Sequence, residues 1–138
     1  MRRLFSRKPA PEYAGRLAAW RALPSTRADG PLSQRRCVVV DVETAGLDPQ
    51  RDALIAIGAV ALRDGRINLA ESLEVVLRQE SVSKHDNILV HGIGGTAQCS
   101  GLEPAEALLR FLEFAGKDPL IAFHVMFDET ALRGALRR

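Results

Sequence analysis

The chain has 138 residues, of which 46% are hydrophobic and 26% charged, and its formal net charge is +2. These values suit a single domain with one hydrophobic core, and no stretch approaches the ~20 consecutive apolar residues that a membrane span needs. The two cysteines, Cys37 and Cys99, form no Cys-x-x-Cys motif, so we expect reduced thiols in a cytoplasmic protein and not a disulfide framework.

Residues 1–34 are predicted to form a basic N-terminal extension with a short helix and a linker, followed by the main domain over residues 35–138. Residues 1–36 carry nine Lys and Arg against two acids, a net charge of +7, whereas residues 37–138 carry ten against fifteen, a net charge of −5. The extension therefore either attracts nucleic acid or only keeps the protein soluble. An Arg-rich mitochondrial presequence is a third interpretation, whereas the apolar stretch of a secretory signal is missing.

The helix of the extension is predicted between two prolines, Pro11 in its first turn and Pro24 just beyond its end. Tyr13, Leu17 and Trp20 recur at helical spacing, so they form one apolar stripe. We expect this stripe to pack on its own domain. The alternative is a docking helix for a polymerase or another partner.

Three strands are predicted next, over about residues 36–43, 53–62 and 67–77. Residues 37–40 of the first strand are all apolar, which indicates a buried position in the middle of a sheet. The dipeptide Asp64-Gly65 between the second and third strands predicts a tight hairpin turn.

The remaining elements are predicted to alternate between helix and strand. A long polar loop over residues 79–101 leads to a helix over 104–115, which has Pro at its start and Gly116 after its end. A short parallel strand over 119–122 and a helix over 127–137 follow. The fold class predicted is α/β, with a three-stranded antiparallel meander, one parallel strand and flanking helices.

Two carboxylates end the first strand, and a third lies far downstream at Asp128. Asp41 and Glu43 are two positions apart, so they project from the same face while Val42 points the other way. Crowded carboxylates repel one another unless a cation lies between them, and hard divalent ions such as Mg²⁺ or Mn²⁺ prefer oxygen ligands. The pattern therefore predicts a metal site at the carboxyl end of this strand.

Residues 41–49, Asp-Val-Glu-Thr-Ala-Gly-Leu-Asp-Pro, closely resemble the first exonuclease motif of the DEDD superfamily. That family includes the proofreading (epsilon) subunit of bacterial DNA polymerase III and ribonuclease T. Residues 54–60, 90–93 and 122–128 resemble further family segments in the same order and spacing. The resemblance implies a ribonuclease H-like fold and a metal-dependent 3′-to-5′ exonuclease that acts on DNA ends. Its bacterial character disfavours the presequence interpretation.

The resemblance also implies roles for the three carboxylates. Asp41 would bridge two divalent ions, and Glu43 would help to hold the ion that binds the attacking water. Asp128 would add a carboxylate from the first turn of the last helix. The structural alternative for Asp128 is a simple contact with the helix dipole.

Four further positions correspond to substrate contacts in the family. Thr44 would contact the terminal nucleotide through its backbone or hydroxyl, and Leu47 would contact it as an apolar wedge. The alternatives are that Thr44 is an ordinary turn residue and that Leu47 belongs to the core. His91 would lie near the substrate or serve as a hydrogen-bonded structural residue. His124 stands where the family usually has Asn, and Phe123 where it has His, so we expect different polar support for the substrate.

The third motif of the family, a His followed five positions later by an Asp, has no counterpart in the sequence. The ten residues after Asp128 contain no His, and His85, His91 and His124 precede the second motif or lie inside it. We therefore expect a domain truncated before the third motif, without the general base and the fourth metal ligand. Such a chain is predicted to be nearly inactive by itself.

Two other functions stay open at this point. The substrate of the same chemistry is an RNA 3′ end in ribonuclease T and oligoribonuclease, and no residue here indicates a contact to a 2′-hydroxyl. A non-catalytic module that holds a metal or nucleic acid is the second alternative. The expected partners are a single-stranded DNA 3′ end, or RNA, and a DNA polymerase or other replication or repair subunit, with no membrane.

Overall fold

A computed structural model describes residues 10–26, 30–31 and 34–137 of the chain, so most of the predicted linker, residues 25–33, lies outside the described residues. The elements in chain order are α1 (Pro11–Ala22), β1 (Arg36–Thr44), β2 (Leu54–Arg63), β3 (Arg66–Val76), α2 (His85–His91), α3 (Gly95–Cys99), α4 (Pro104–Ala115), β4 (Leu120–Ile121) and α5 (Val125–Ala135). None of the described helices combines the length and the apolar character needed to cross a bilayer.

The four strands form one mixed sheet in the order β3-β2-β1-β4. β1 runs antiparallel to β2, β2 runs antiparallel to β3, and β1 pairs in parallel with β4 through Val38 opposite Leu120. The predicted meander with one parallel strand is therefore confirmed. β1 has a partner on both sides at Val38 and Val39, and its pairing with β2 continues to Thr44, which supports the residues at its end.

The turn between β2 and β3 consists of Asp64 and Gly65, as the sequence predicts. Both residues have positive φ angles, 50° for Asp64 and 74° for Gly65. Two positive φ angles are required by the type I′ turn, whose twist matches that of the flanking strands, and Asp-Gly supplies them with little strain. The hairpin sets the register of β2 and β3.

Helices α4 and α5 cover one face of the sheet and enclose the main core. α4 has the predicted bounds, begins with Pro104, and is capped by the carboxylate of Glu103, which accepts hydrogen bonds from the backbone N–H groups of Ala105 and Glu106. α5 begins at Val125, two residues earlier than predicted. The buried residues of the two helices are Ala107, Leu108, Leu109, Phe111, Leu112, Ala115, Asp128, Ala131 and Leu132.

The prediction of one long loop over residues 79–101 is wrong, because this segment contains the short helices α2 and α3. α2 has no side-chain cap and buries none of its residues. The sequence therefore contains neither a capping signal nor the apolar periodicity by which a helix is predicted. The helix ends at His91 and is followed by Gly92, whose φ of 72° is the left-handed conformation that Gly adopts after helix ends.

Helix α1 packs against α4 through its apolar stripe, as expected. Leu17 is only 2% exposed and belongs to the main core, with Tyr13 and Trp20 packed beside it. The Arg16 guanidinium forms ion pairs at 2.7 Å with both Glu106 and Glu113. The indole N–H of Trp20 also donates to a carbonyl at the end of α4, at 2.8 Å. Both polar and apolar contacts thus attach α1 to the α4 side of the domain.

Candidate active site

The three predicted carboxylates line one surface pocket of about 420 Å³, to which Leu47 and His124 also contribute. Along β1, Val42 is buried in the core while Asp41 and Glu43 are not, so the predicted alternation is confirmed. Both β1 carboxylates also line an adjacent pocket of about 350 Å³ together with His91. The end of β1 therefore presents carboxylates that line two adjacent surface depressions.

Asp128 is the most enclosed of the three carboxylates, with only 4% of its surface exposed. It lies in the first turn of α5, close enough to β1 for the backbone N–H of Val42 to favour its charged form. Burial, and secondly the charge of Asp41, raise the pKa of Asp128; the backbone N–H of Val42 opposes this increase. The α5 carboxylate thus lies beside the strand that carries the other two.

Glu43 experiences the same two effects. Burial raises the pKa of its carboxyl group, and the charge of Asp41 raises this pKa further, while His91 lowers it. Asp41 is therefore the neighbour that disfavours the charged form of both other carboxylates. A bound cation would remove this repulsion, because it favours the charged form of every carboxylate around it.

We predict that the metal-free protein loses stability as the pH rises from about 4 through the raised pKa values of Glu43 and Asp128. The unfolded chain releases both protons at lower pH than the folded chain does, so deprotonation favours the unfolded state. Asp128→Asn should therefore be more stable than the wild type near neutral pH. Urea unfolding in EDTA between about pH 4 and 7 measures this difference, which should shrink toward the acidic end.

The matched control is Asp64→Asn, which removes a carboxylate from the exposed hairpin turn and keeps a residue that tolerates positive φ. A pH-independent difference between Asp128→Asn and the wild type would contradict the assigned cause. Glu71 acts in a separate pH range, because a hydrogen bond from Arg63 lowers its pKa to about 2. Its contribution to stability is lost only as the pH falls from 4.5 toward that value.

The loop after β1 holds Leu47 in an exposed position. The Thr44 hydroxyl donates to the carbonyl of Gly46 at 2.6 Å, and the Asp52 carboxylate accepts the N–H of Asp48 at 2.8 Å. A Cβ atom on Gly46 would overlap the Asp52 carboxylate, so a larger residue here would displace that side chain and its hydrogen bond to Asp48. Thr44 itself is buried and lines neither carboxylate pocket, whereas Leu47 lines the one shared with Asp128.

A network of polar residues fixes the ring of His91. Its Nδ1 accepts the N–H of Ile93 at 3.0 Å, and its Nε2 lies 3.2 Å from the Ser83 hydroxyl. Because Nδ1 accepts, the proton of the neutral ring is on Nε2, which donates to Ser83. The fully buried Gln98 binds Ser83 and Ile93 in turn, a role that the polar sequence of this segment did not reveal.

The segment between β4 and α5 contributes His124 and Phe123 to the pocket of the three carboxylates. The His124 ring stacks on Phe127, with the ring centroids 6.0 Å apart and the planes inclined by 17°. Phe123 is fully exposed, although an apolar residue at the end of a strand is usually expected in the core. In the sequence, Phe123 is notable only because the family motif has His at this position.

The chemistry of these residues fits a hard divalent ion, because the pocket offers three carboxylates and two of them carry raised pKa values. In the parts of the chain that the structure describes, no group of three or more His, Cys, Asp or Glu side chains is already arranged to hold a metal ion. Asp41, Glu43 and Asp128 would have to converge when an ion binds.

Comparison with known sequences gives one family and several relatives. A family model described as exonuclease, of the RNase T type, matches residues 38–138. A PolC-type DNA polymerase III from Thermotoga petrophila is 32% identical over 105 residues, which are 76% of this chain and 8% of that protein. A DNA polymerase III subunit epsilon-like protein from Rhodobacter capsulatus is 32% identical over 110 residues, or 79% of this chain and 16% of that protein. The chain thus spans a small part of these relatives.

Solved structures with a similar fold include two of exonuclease I. The apo form aligns with a TM-score of 0.65 and 17% identity, over 74% of this chain and 24% of the other. The Escherichia coli enzyme in complex with a dT13 oligonucleotide aligns with a TM-score of 0.63 and 19% identity, over 74% and 23% of the two chains. At these identities the likeness concerns the fold, which is the ribonuclease H-like arrangement expected from the sequence.

Proposed function

The chain belongs to the DEDD-type exonucleases, and from this we propose that it is a metal-dependent 3′-to-5′ exonuclease of the proofreading type that acts on DNA ends. The observation that carries the proposal is the pocket that joins Asp41, Glu43 and Asp128. These carboxylates come from a central strand and from a helix far along the sequence. A cytoplasmic location, next to replication or repair proteins, is part of the proposal.

Asp41, Glu43 and Asp128 would hold Mg²⁺ or Mn²⁺ in this pocket. Two such ions would stabilise the attacking and leaving oxygens of an in-line phosphodiester displacement. Asp41 is suited to the shared position, because its charge acts on both other carboxylates. The backbone N–H of Val42 favours the charged form of Asp128, which is the form that binds a cation.

Four residues are proposed to position the nucleic acid. Leu47 and His124 line the carboxylate pocket, where they would contact the terminal nucleotide as an apolar wedge and as a polar partner. His91 lies in the adjacent pocket and would orient Glu43, whose carboxylate it influences electrostatically. The Thr44 hydroxyl is bound to Gly46, so its contribution would come through the backbone.

DNA is the proposed substrate because the relatives are named as DNA polymerase III proteins and one similar structure contains a dT13 oligonucleotide. The dT13 complex supports a single strand as the ligand, and the names of the relatives support a DNA polymerase as a partner. Binding of the strand at its 3′ end is part of the proposal. An RNA end remains the alternative for the same pocket, and a matched RNA strand in the assay distinguishes the two.

A non-catalytic binding module is the second candidate function, favoured because no group of three His, Cys, Asp or Glu side chains in the described residues is already arranged to hold a metal ion. Both ring nitrogens of His91 already form hydrogen bonds, which makes it a poor general base. A positioned base typically contributes roughly 10²–10⁴-fold. We therefore expect residues 1–138 by themselves to hydrolyse DNA slowly.

The test is digestion of one single strand labelled at either end, with Mn²⁺ and at high protein concentration. We expect the 3′ label to be released as a mononucleotide and the 5′-labelled strand to shorten progressively, with neither reaction in EDTA. Internal cleavage, or shortening from the 5′ end, would contradict the proposed direction. Metal-dependent binding of the strand without any cleavage would instead favour the binding module.

A further inference from the structure

Two apolar side chains lie almost free of protein contacts at the rim of the carboxylate pocket. Phe123 is 105% exposed and Leu47 is 91% exposed, and both line this pocket with Asp41 and Asp128. Single exposed apolar residues are common on protein surfaces. Here, however, two large ones border the same acidic depression, so a ligand of the pocket would cover both.

Phe123 is the aromatic ring of this rim that is free to accept a new stacking partner. The neighbouring ring of His124 already stacks on Phe127, and Phe127 is itself packed against the core. Phe123 has no polar atom in its side chain, so it would contact the face of a ring and not its hydrogen-bonding edge. Every nucleobase offers such a face, which is why aromatic platforms bind single strands with little regard to sequence.

We propose that Phe123, which stands where the family motif has His, stacks on a nucleobase that flanks the scissile phosphate, while Leu47 contacts the same nucleotide. The inference rests on the proposed function, which places that phosphate at the three carboxylates. An aromatic hydrocarbon ring at this position would hold the strand through stacking and not through a hydrogen bond.

The test is a binding cycle on the full 138-residue chain with Phe123→Ala. Fluorescence anisotropy would measure the affinity for a 5′-labelled thymidine oligonucleotide in Ca²⁺, and for the same strand with an abasic site at the terminal or penultimate position. Stacking on an aromatic residue contributes about 1–3 kcal/mol per base, so Phe123→Ala should weaken binding of the intact strand roughly 5- to 150-fold. At one of the two abasic positions, the same substitution should cause almost no further loss.

The matched control is Met126→Ala, because Met126 is 68% exposed nearby and is not among the residues that line this pocket. Phe123→Trp should retain the affinity of the wild type. Equal affinities for Phe123→Ala and Met126→Ala would overturn the inference. The inference would also be overturned if Phe123→Ala weakened binding of both abasic strands as much as it weakens binding of the intact strand. The same holds if the wild type bound the intact and abasic strands with equal affinity, or bound neither. Failure of the proposed function shows separately, as the absence of 3′ shortening in Mn²⁺.

Discussion

Replacing Asp41 by Asn is expected to abolish hydrolysis, with a rate loss of roughly 10³-fold or more. The ions of such a site stabilise the transition state by several kcal/mol, and each 1.36 kcal/mol corresponds to a tenfold change in rate. The charge of Asp41 acts on both other proposed ligands, so its loss would affect every proposed ion position. Release of the 3′ label in Mn²⁺ measures the rate.

A second measurement on the same variant separates metal binding from folding. Mn²⁺ should raise the melting temperature of the wild type, since an ion at 100 times its dissociation constant adds about 2.7 kcal/mol of stability. Asp41→Asn should lose this increase and be at least as stable as the wild type in EDTA, because one repelling charge is gone. Asp64→Asn, which removes a carboxylate at the other end of the β2–β3 hairpin, should behave like the wild type in both assays. A near-normal rate in Asp41→Asn would rule out the proposed mechanism.

Replacing Leu17 by Ala should lower the free energy of unfolding by about 2–5 kcal/mol, the usual effect of removing a buried Leu side chain. For a domain of this size the melting temperature would fall by the order of 10 °C. Leu17 is almost fully buried between α1 and the core, so we expect it to be part of the cooperative structure. Leu89→Ala is the matched control, because Leu89 is 73% exposed in α2 and its truncation should change stability by less than about 0.5 kcal/mol.

The same experiment tests the predicted boundary between residues 1–34 and 35–138. Trp20 is the only tryptophan of the chain and lies in α1, where its indole binds the Gly116 carbonyl, so its fluorescence reports on the attachment of α1. Circular dichroism reports on the whole domain. Coincident unfolding curves would show that α1 belongs to the cooperative unit. If the fluorescence transition came earlier, and Leu17→Ala hardly changed the circular dichroism transition, the result would support a separable extension and the docking-helix interpretation.

The sequence was sufficient to predict the strand and the carboxylates because both depend on local rules. Side chains alternate strictly along a strand, so the apolar run 37–40 followed by Asp41 and Glu43 determines which side chains enter the core. The hairpin and α4 were predicted for the same reason, since Asp64-Gly65 and the flanking Pro104 and Gly116 favour these conformations locally.

The features that the sequence did not reveal depend on contacts between distant residues. α2 has no buried face, and its position is set by Asn87, whose amide donates to the carbonyl of Ala45 in the loop after β1. The raised pKa of Asp128 arises only when α5 packs beside β1. Likewise, the full exposure of Phe123 follows from the way in which the chain passes from β4 into α5, which composition and periodicity do not determine.

The burial of the Asp128 carboxylate has a consequence for how this domain can evolve. An Asn side chain has nearly the same shape and keeps an oxygen acceptor, and it lacks the charge whose burial is unfavourable. A single Asp128→Asn change would therefore yield a protein that folds at least as well and has lost one of the three proposed metal ligands. Wherever hydrolysis is not selected, we expect lineages to drift toward such catalytically silent versions, because the change that removes activity also favours the fold.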